Sequence, residues 1–212
     1  HERVAEMMHL TYRVPDLTGR RVLLAGLGGG CDIFTAHAFR QVLAGGGAAK
    51  FTCANAKRKN RCGPTQGVLS AHILLSNELL DFVNAADGLR REAALILVVP
   101  EREEETSFVE EIRQLGCDFI FGIDAGGDSL APSALSGPEG RDKLMLRLLR
   151  QVGVPLHHVV VAPGCDGEAT AEALAEAMSH EASLSRYRGC CSLEPLYPDL
   201  QAVAARLTPE RT

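Results

Sequence analysis

The sequence predicts an α/β domain in which a mostly parallel sheet of about five strands carries helices on both faces, a three-layer sandwich. Three observations lead there. Continuous apolar runs such as Arg21 to Gly26 (RVLLAG) have the composition of strands buried on both sides. Segments with apolar residues at helical spacing separate these runs, and strands alternating with helices pair in parallel through right-handed crossovers. Finally, three strand ends pass directly into glycine plus acid: Gly26 to Asp32 (GLGGGCD), Phe119 to Leu130 (FIFGIDAGGDSL) and Val159 to Ala169 (VVVAPGCDGEA).

Taken in order, residues 1–20 read as a lead-in that need not join the core. It has a short helix over Glu2 to Leu10 and turn chemistry at Val14-Pro15-Asp16 and Thr18-Gly19. Arg21 to Gly26 is the first strand. Asp32 to Leu43 follows as a helix, with Ile33, Phe34, Ala36, Phe39, Val42 and Leu43 at helical spacing and Gly45-Gly46-Gly47 to end it. Lys50 to Ala54 is a short second strand, and the polar Asn55 to Gly67 a surface loop. Val68 to Val83 has the apolar density of a buried helix, and Ala93 to Val99 is a third strand stopped by Pro100.

Glu103 to Leu115 is an amphipathic helix that turns Phe108, Val109, Ile112 and Leu115 inward and ends at Gly116. Asp118 to Ile123 and Leu156 to Ala162 are the fourth and fifth strands. Between them lie the loop Asp124 to Pro138 and a helix over Glu139 to Gln151. Further helices are expected over Glu168 to Glu181 and Asp199 to Leu207. The whole reads as one domain, residues 1–212, with a peripheral C-terminal segment from residue 183.

Composition narrows the function. A 212-residue chain with 46% hydrophobic residues supports one sizeable core. A net charge of −5 argues against nucleic acid as a partner, with Lys57 to Arg61 only a local basic run, and the absence of tryptophan removes the best stacking platform. No run approaches the roughly 20 apolar residues that cross a bilayer, and the first ten residues lack the pattern of a secretory signal. Seven cysteines, at 31, 53, 62, 117, 165, 190 and 191, show neither CxxC pairing nor a disulfide framework. A cytoplasmic protein without membrane attachment is expected, with self-association left open.

Loops leaving the carboxyl ends of parallel strands share one sheet edge, which is where open α/β sheets bind ligands. Gly28, Gly29 and Gly30, followed by Asp32 at a helix start, offer backbone amides to a phosphate or carboxylate. The acids Asp124, Asp128, Asp166 and Glu168 trail the other two strand ends. Carboxylates gathered there hold a hard cation or exchange a proton, which marks Asp124, Asp128 and Asp166 as candidate metal ligands and Asp128, Asp166 and Glu168 as candidate catalytic groups. Each acid taken singly is more readily a helix or turn cap. Cys31 and Cys165 precede acids near helix starts, where a thiol's proton affinity falls, so they join the catalytic candidates beside the plainer reading of small buried residues.

The tandem His157-His158 opens the fifth strand at the edge away from this site and is set aside. His37 and His72 are expected on the first two helices as structural residues. Lys57, Arg58, Lys59 and Arg61 suit closure over an anion, although such runs are usually solvated. Arg141 and Asp142 open a helix that returns from the Asp128 loop toward the same edge, but their GRD motif is too short to be specific.

On GLGGGCD, GIDAGGDSL followed by GRDKLML, and PGCDGE, the chain resembles the domain-of-unknown-function family 1152 over Arg21 to Leu174. The resemblance implies a Rossmann-like α/β fold with glycine- and acid-rich loops at one sheet edge, and it brings no established reaction. Members of that family carry a further glycine where Cys31 and Cys165 stand here. The functional expectation is an enzyme acting on a small anionic metabolite by metal-assisted hydrolysis or group transfer. The alternatives are a nucleotide or dinucleotide binder, for which Cys31 and the absence of an acid after the second strand are departures from the usual fingerprint, and a non-catalytic interaction subunit.

Overall fold

The computed structural model describes residues 10–28, 32–62, 65, 67–76, 94–131, 140–165, 167 and 169–204. The elements are β1 (Arg21–Gly26), α1 (Asp32–Leu43), β2 (Lys50–Lys57), β3 (Gly67–Val68), β4 (Ile73–Ser76), β5 (Ala94–Val98), α2 (Glu105–Gln114), β6 (Phe119–Ala125), α3 (Arg141–Arg150), β7 (Leu156–Val161), α4 (Ala171–Ser183) and α5 (Tyr197–Ala204).

Strands lie in the order β3-β4-β5-β2-β1-β6-β7. The five from β5 to β7 are mutually parallel, whereas β4 runs antiparallel to both β3 and β5. Alternate side chains of β1 divide the core into two layers. Val22 and Leu24 meet Phe34 and Phe39 of α1 together with Phe121 and Leu196. Leu23 and Ala25 meet Phe108 and Ile112 of α2 and Met145 and Leu149 of α3. Helices therefore cover both faces, which is why the central strands carry no polar alternation.

Two parts of the expectation are corrected. Gly67 to Ser76 is a β-hairpin at the sheet edge rather than the start of a helix from Val68 to Val83, and residues 77–83 of that span lie outside the described residues. Short apolar runs fit strand and helix alike, and here the backbone of Ile73 to Ser76 pairs with Ala94 to Leu97, which settles the choice. The sheet accordingly has seven strands instead of about five. The second correction concerns β2, which runs on to Lys57: Asn55, Ala56 and Lys57 pair with β5 and are not loop.

The end segments also reach the core. Leu17 is fully buried, its N–H donates to the Gly46 carbonyl at 2.7 Å, and Leu196 is 1% exposed against the α1 layer. Thr11 bridges Cys190, and the Tyr12 N–H donates to the Cys190 carbonyl at 2.7 Å, so the two ends are tied to each other. Burying one leucine side chain stabilises by about 2 kcal/mol, so each segment contributes to the core. The helix expected over Glu2 to Leu10 lies outside the described residues except for Leu10.

Candidate functional site

Parallel strands are added on one side of β1 as far as β5, then on its other side from β6 to β7. The direction of winding reverses between β1 and β6, and the crevice beyond the carboxyl ends at such a reversal is the ligand-binding position of open α/β sheets. Gly26, which ends β1, pairs with Ile123, so Asp124 stands one residue further along β6 at the same edge.

Three carboxylates gather there. Asp32 opens α1 and ties the two strands together: Gly28 N–H donates to its Oδ2 at 2.6 Å and Ala125 N–H to its Oδ1 at 3.2 Å. Asp142, in the first turn of α3, accepts from Arg141 Nε at 3.0 Å. Ser129 N–H donates to Asp124 Oδ2 at 3.0 Å, and the Ser129 hydroxyl reaches the same oxygen. Asp32, Asp124 and Asp142 are 4%, 1% and 5% exposed. One oxygen of each lies within 4.8 Å of the others.

The glycines make this approach possible by lacking side chains. A Cβ on Gly28 would stand 2.8 Å from both Arg141 Nη2 and Asp32 Oδ2 and would collide with Asp142 Oδ2. On Gly26 it would stand 2.8 Å from Asp32 Cβ and 2.9 Å from Asn55 Oδ1. The carboxylates therefore press on the loop backbone itself.

Crowding buried acids favours their neutral forms. Burial, and then the charge of Asp142, pushes the Asp32 carboxyl up to about 8, against the pull of the Gly28 and Ala125 N–H groups. Burial likewise raises Asp142 to about 7, opposed by Arg141 and reinforced by Asp128 and Asp124. Beside Asp32, Asn55 is 1% exposed, and among the described residues neither polar atom of its side chain has a partner. Leaving such groups unpaired costs about 1–3 kcal/mol.

Of the residues singled out in the sequence, Gly28, Asp32 and Asp124 meet at this point. Asp128 is buried and acts on Asp142 through its charge, while Cys165 is exposed in the turn after β7. Gly29, Gly30, Cys31, Asp166 and Glu168 lie outside the described residues. Asp142 completes the group, although its GRD motif gave little reason to select it. Lys59 and Arg61 form an exposed 3₁₀ turn.

Two histidine expectations change. His72 sits in the turn before β4 rather than on a helix, and its Nδ1 meets Glu111 Oε1 of α2 at 2.9 Å, a structural tie. His158 is joined to the acid group after all: its Nε2 lies 2.7 Å from Ser129 Oγ. The signal for it was hidden, because His158 pairs with Gly122 two residues below Asp124, and only the fold-back of the Gly126 to Leu130 turn brings Ser129 down to it. A concavity lined by Arg21, Lys50, Thr52, Leu115 and Cys117 opens at the opposite edge and shares no residue with the acid group.

No curated protein and no solved structure matches the chain. A family model does match, over residues 74–210, a span that contains GIDAGGDSL, GRDKLML and PGCDGE and leaves the Gly26 to Asp32 loop outside it. Two of the three acids at the sheet edge, Asp124 and Asp142, thus fall within the match, and the chain belongs to the family described as protein of unknown function (DUF1152).

Proposed function

We propose that the chain is an enzyme that binds a small anionic metabolite beyond the carboxyl ends of β1 and β6 and acts on it by metal-assisted hydrolysis or group transfer. What carries this reading is the gathering of three buried carboxylates whose oxygens lie within 4.8 Å of one another. Oxygen-only donors on rigid elements fit a hard divalent cation such as Mg²⁺ or Mn²⁺. The carboxamide of Asn55 beside Asp32, which has no partner among the described residues, supports a site built for something further.

Asp32, Asp124 and Asp142 would hold the cation, which when bound supplies positive charge to a substrate oxygen. The chain's own groups divide the remaining work. Gly28 and Ala125 fix the Asp32 carboxylate through their N–H groups. Arg141 directs Nε to Asp142 and is about one-third exposed, which leaves guanidinium N–H groups for an anionic group of the substrate. Asp142, raised to about 7 by burial in the cation-free site, gives up its proton when the cation binds.

The strand order favours a second reading, a nucleotide ligand across the same reversal, with Asn55 of β2 in the place where an acid usually meets ribose. Mn²⁺ titration followed by electron paramagnetic resonance tests the first reading. One site is expected in the wild type and none in Asp124→Asn or Asp142→Asn, together with Mn²⁺-dependent turnover of a panel of phosphate and carboxylate esters. Unchanged Mn²⁺ binding in both variants rejects it. Thermal stabilisation by ATP or NAD without a divalent cation selects the second reading.

A further inference from the structure

We propose that His158 is a positioning residue for the carboxylate group, acting through Ser129 to hold Oδ2 of Asp124. The inference rests on the cation-binding reading above and adds β7 to the elements that build the site.

The Ser129 hydroxyl carries a single hydrogen and has two neighbours that can take it, Asp124 Oδ2 and His158 Nε2, the latter at 2.7 Å. Asp124 Oδ2 also receives the Ser129 backbone N–H at 3.0 Å. Had the hydroxyl given its hydrogen to His158, Asp124 would have to carry a proton on Oδ2 to bond Ser129 Oγ, and that proton would crowd the incoming N–H. The satisfied arrangement runs the other way: His158 Nε2–H donates to Ser129 Oγ, and Ser129 O–H donates to Asp124 Oδ2. His158 Nε2 then carries a hydrogen, and in the neutral ring Nδ1 is bare. Its burial, which pushes its proton affinity down to about 4, agrees with a neutral ring.

The turn does not need this chain for its own shape. Gly126 N–H donates to the Val161 carbonyl at 3.0 Å, Gly164 N–H to the Gly126 carbonyl at 2.6 Å, and Leu130 and Ala131 N–H to the Gly127 carbonyl at 3.0 and 3.1 Å. These backbone bonds anchor the Gly126 to Ala131 segment on β7 and on itself. What the side-chain chain adds is orientation of one carboxylate: with Oδ2 holding both Ser129 bonds, Oδ1 is left for the neighbouring acids or a cation. Outer partners that orient a ligating carboxylate affect metal affinity by about 10- to 100-fold.

The experiment measures Mn²⁺ affinity and the tautomer of His158 by ¹⁵N NMR in the wild type, Ser129→Ala, His158→Leu and His158→Gln, with circular dichroism as the check on folding. The wild type is expected to show an Nε2–H tautomer. Ser129→Ala and His158→Leu should each weaken Mn²⁺ binding about 10-fold or more, and His158→Gln, which restores a side-chain N–H, should recover much of it. Affinity within twofold of wild type in folded Ser129→Ala and His158→Leu overturns the positioning role alone, as does an Nδ1–H tautomer. A wild type that shows the Nε2–H tautomer but binds no Mn²⁺ overturns the cation reading, and with it the role assigned to His158.

Discussion

Replacing Asp32 by Asn removes the most strongly perturbed carboxyl of the group and should change how stability depends on pH. In the folded chain this group titrates near 8 against an ordinary 3.8, mainly because it is buried and secondly because Asp142 is close. The folded state therefore holds the proton more tightly than the unfolded state. The contribution is fully present below about pH 4 and is lost as pH rises toward 8. Between pH 5 and pH 8, three pH units at about 1.4 kcal/mol each give a loss of about 4 kcal/mol in the wild type, an upper bound because the acids titrate together.

The variant lacks that loss. It has a fixed cost of about 1–3 kcal/mol, since an amide oxygen accepts from only one of the two donors, Gly28 and Ala125, but this cost does not vary with pH. Urea unfolding in EDTA at pH 5, 6, 7 and 8 measures the difference directly. Asp32→Asn should gain on the wild type by about 2–4 kcal/mol across the range. Parallel curves, within about 0.5 kcal/mol, would refute the claim that burial and the neighbouring Asp142 hold a proton on Asp32 in the cation-free protein.

Other substitutions probe separate links. Asn55→Leu replaces two polar atoms that have no partner among the described residues by an apolar group of similar size and should raise the unfolding free energy by about 1–3 kcal/mol while abolishing ligand-induced thermal shifts; a loss of stability would show that the carboxamide is satisfied. Gly28→Ala drives a Cβ against Asp142, Arg141 and Asp32 and should cost about 1–3 kcal/mol in urea unfolding and eliminate Mn²⁺ binding. Phe121→Ala empties a fully buried position stacked on Phe119 and in edge contact with Phe39, and should cost about 3–5 kcal/mol by the same assay without altering Mn²⁺ stoichiometry in the folded fraction.

How far the site was legible in the sequence depends on which forces act locally. The RVLLAG run, the glycines after it and the spacing of Ile33 to Leu43 are short-range signals, and β1 and α1 fall where they indicate. β2 looked too short because Asn55 and Lys57 are polar, yet strand pairing with β5 decides the matter, and that pairing is non-local. The Val68 region met the same limit, since its apolar residues suit a helix until β4 finds β5 as a neighbour.

Asp32 and Asp124 stood out because each follows a strand end, a position that chemistry at a sheet edge requires. Asp142 did not, since only the return of α3 over the edge brings it against Gly28. His158 was set aside from its place early in β7, a correct reading of the strand, but a side chain from the next turn spans the remaining distance. What the residues could not display was strand order. The reversal between β1 and β6 is fixed by which strands find each other, and it is this reversal that turns scattered acids into a group.

The most direct measurement is anomalous scattering from crystals soaked in Mn²⁺. A single peak bounded by oxygens of Asp32, Asp124 and Asp142 is predicted, absent when the same soak is made with Asp142→Asn. A wild-type crystal with no peak at the β1–β6 reversal, or with Mn²⁺ bound on other residues alone, would contradict the account.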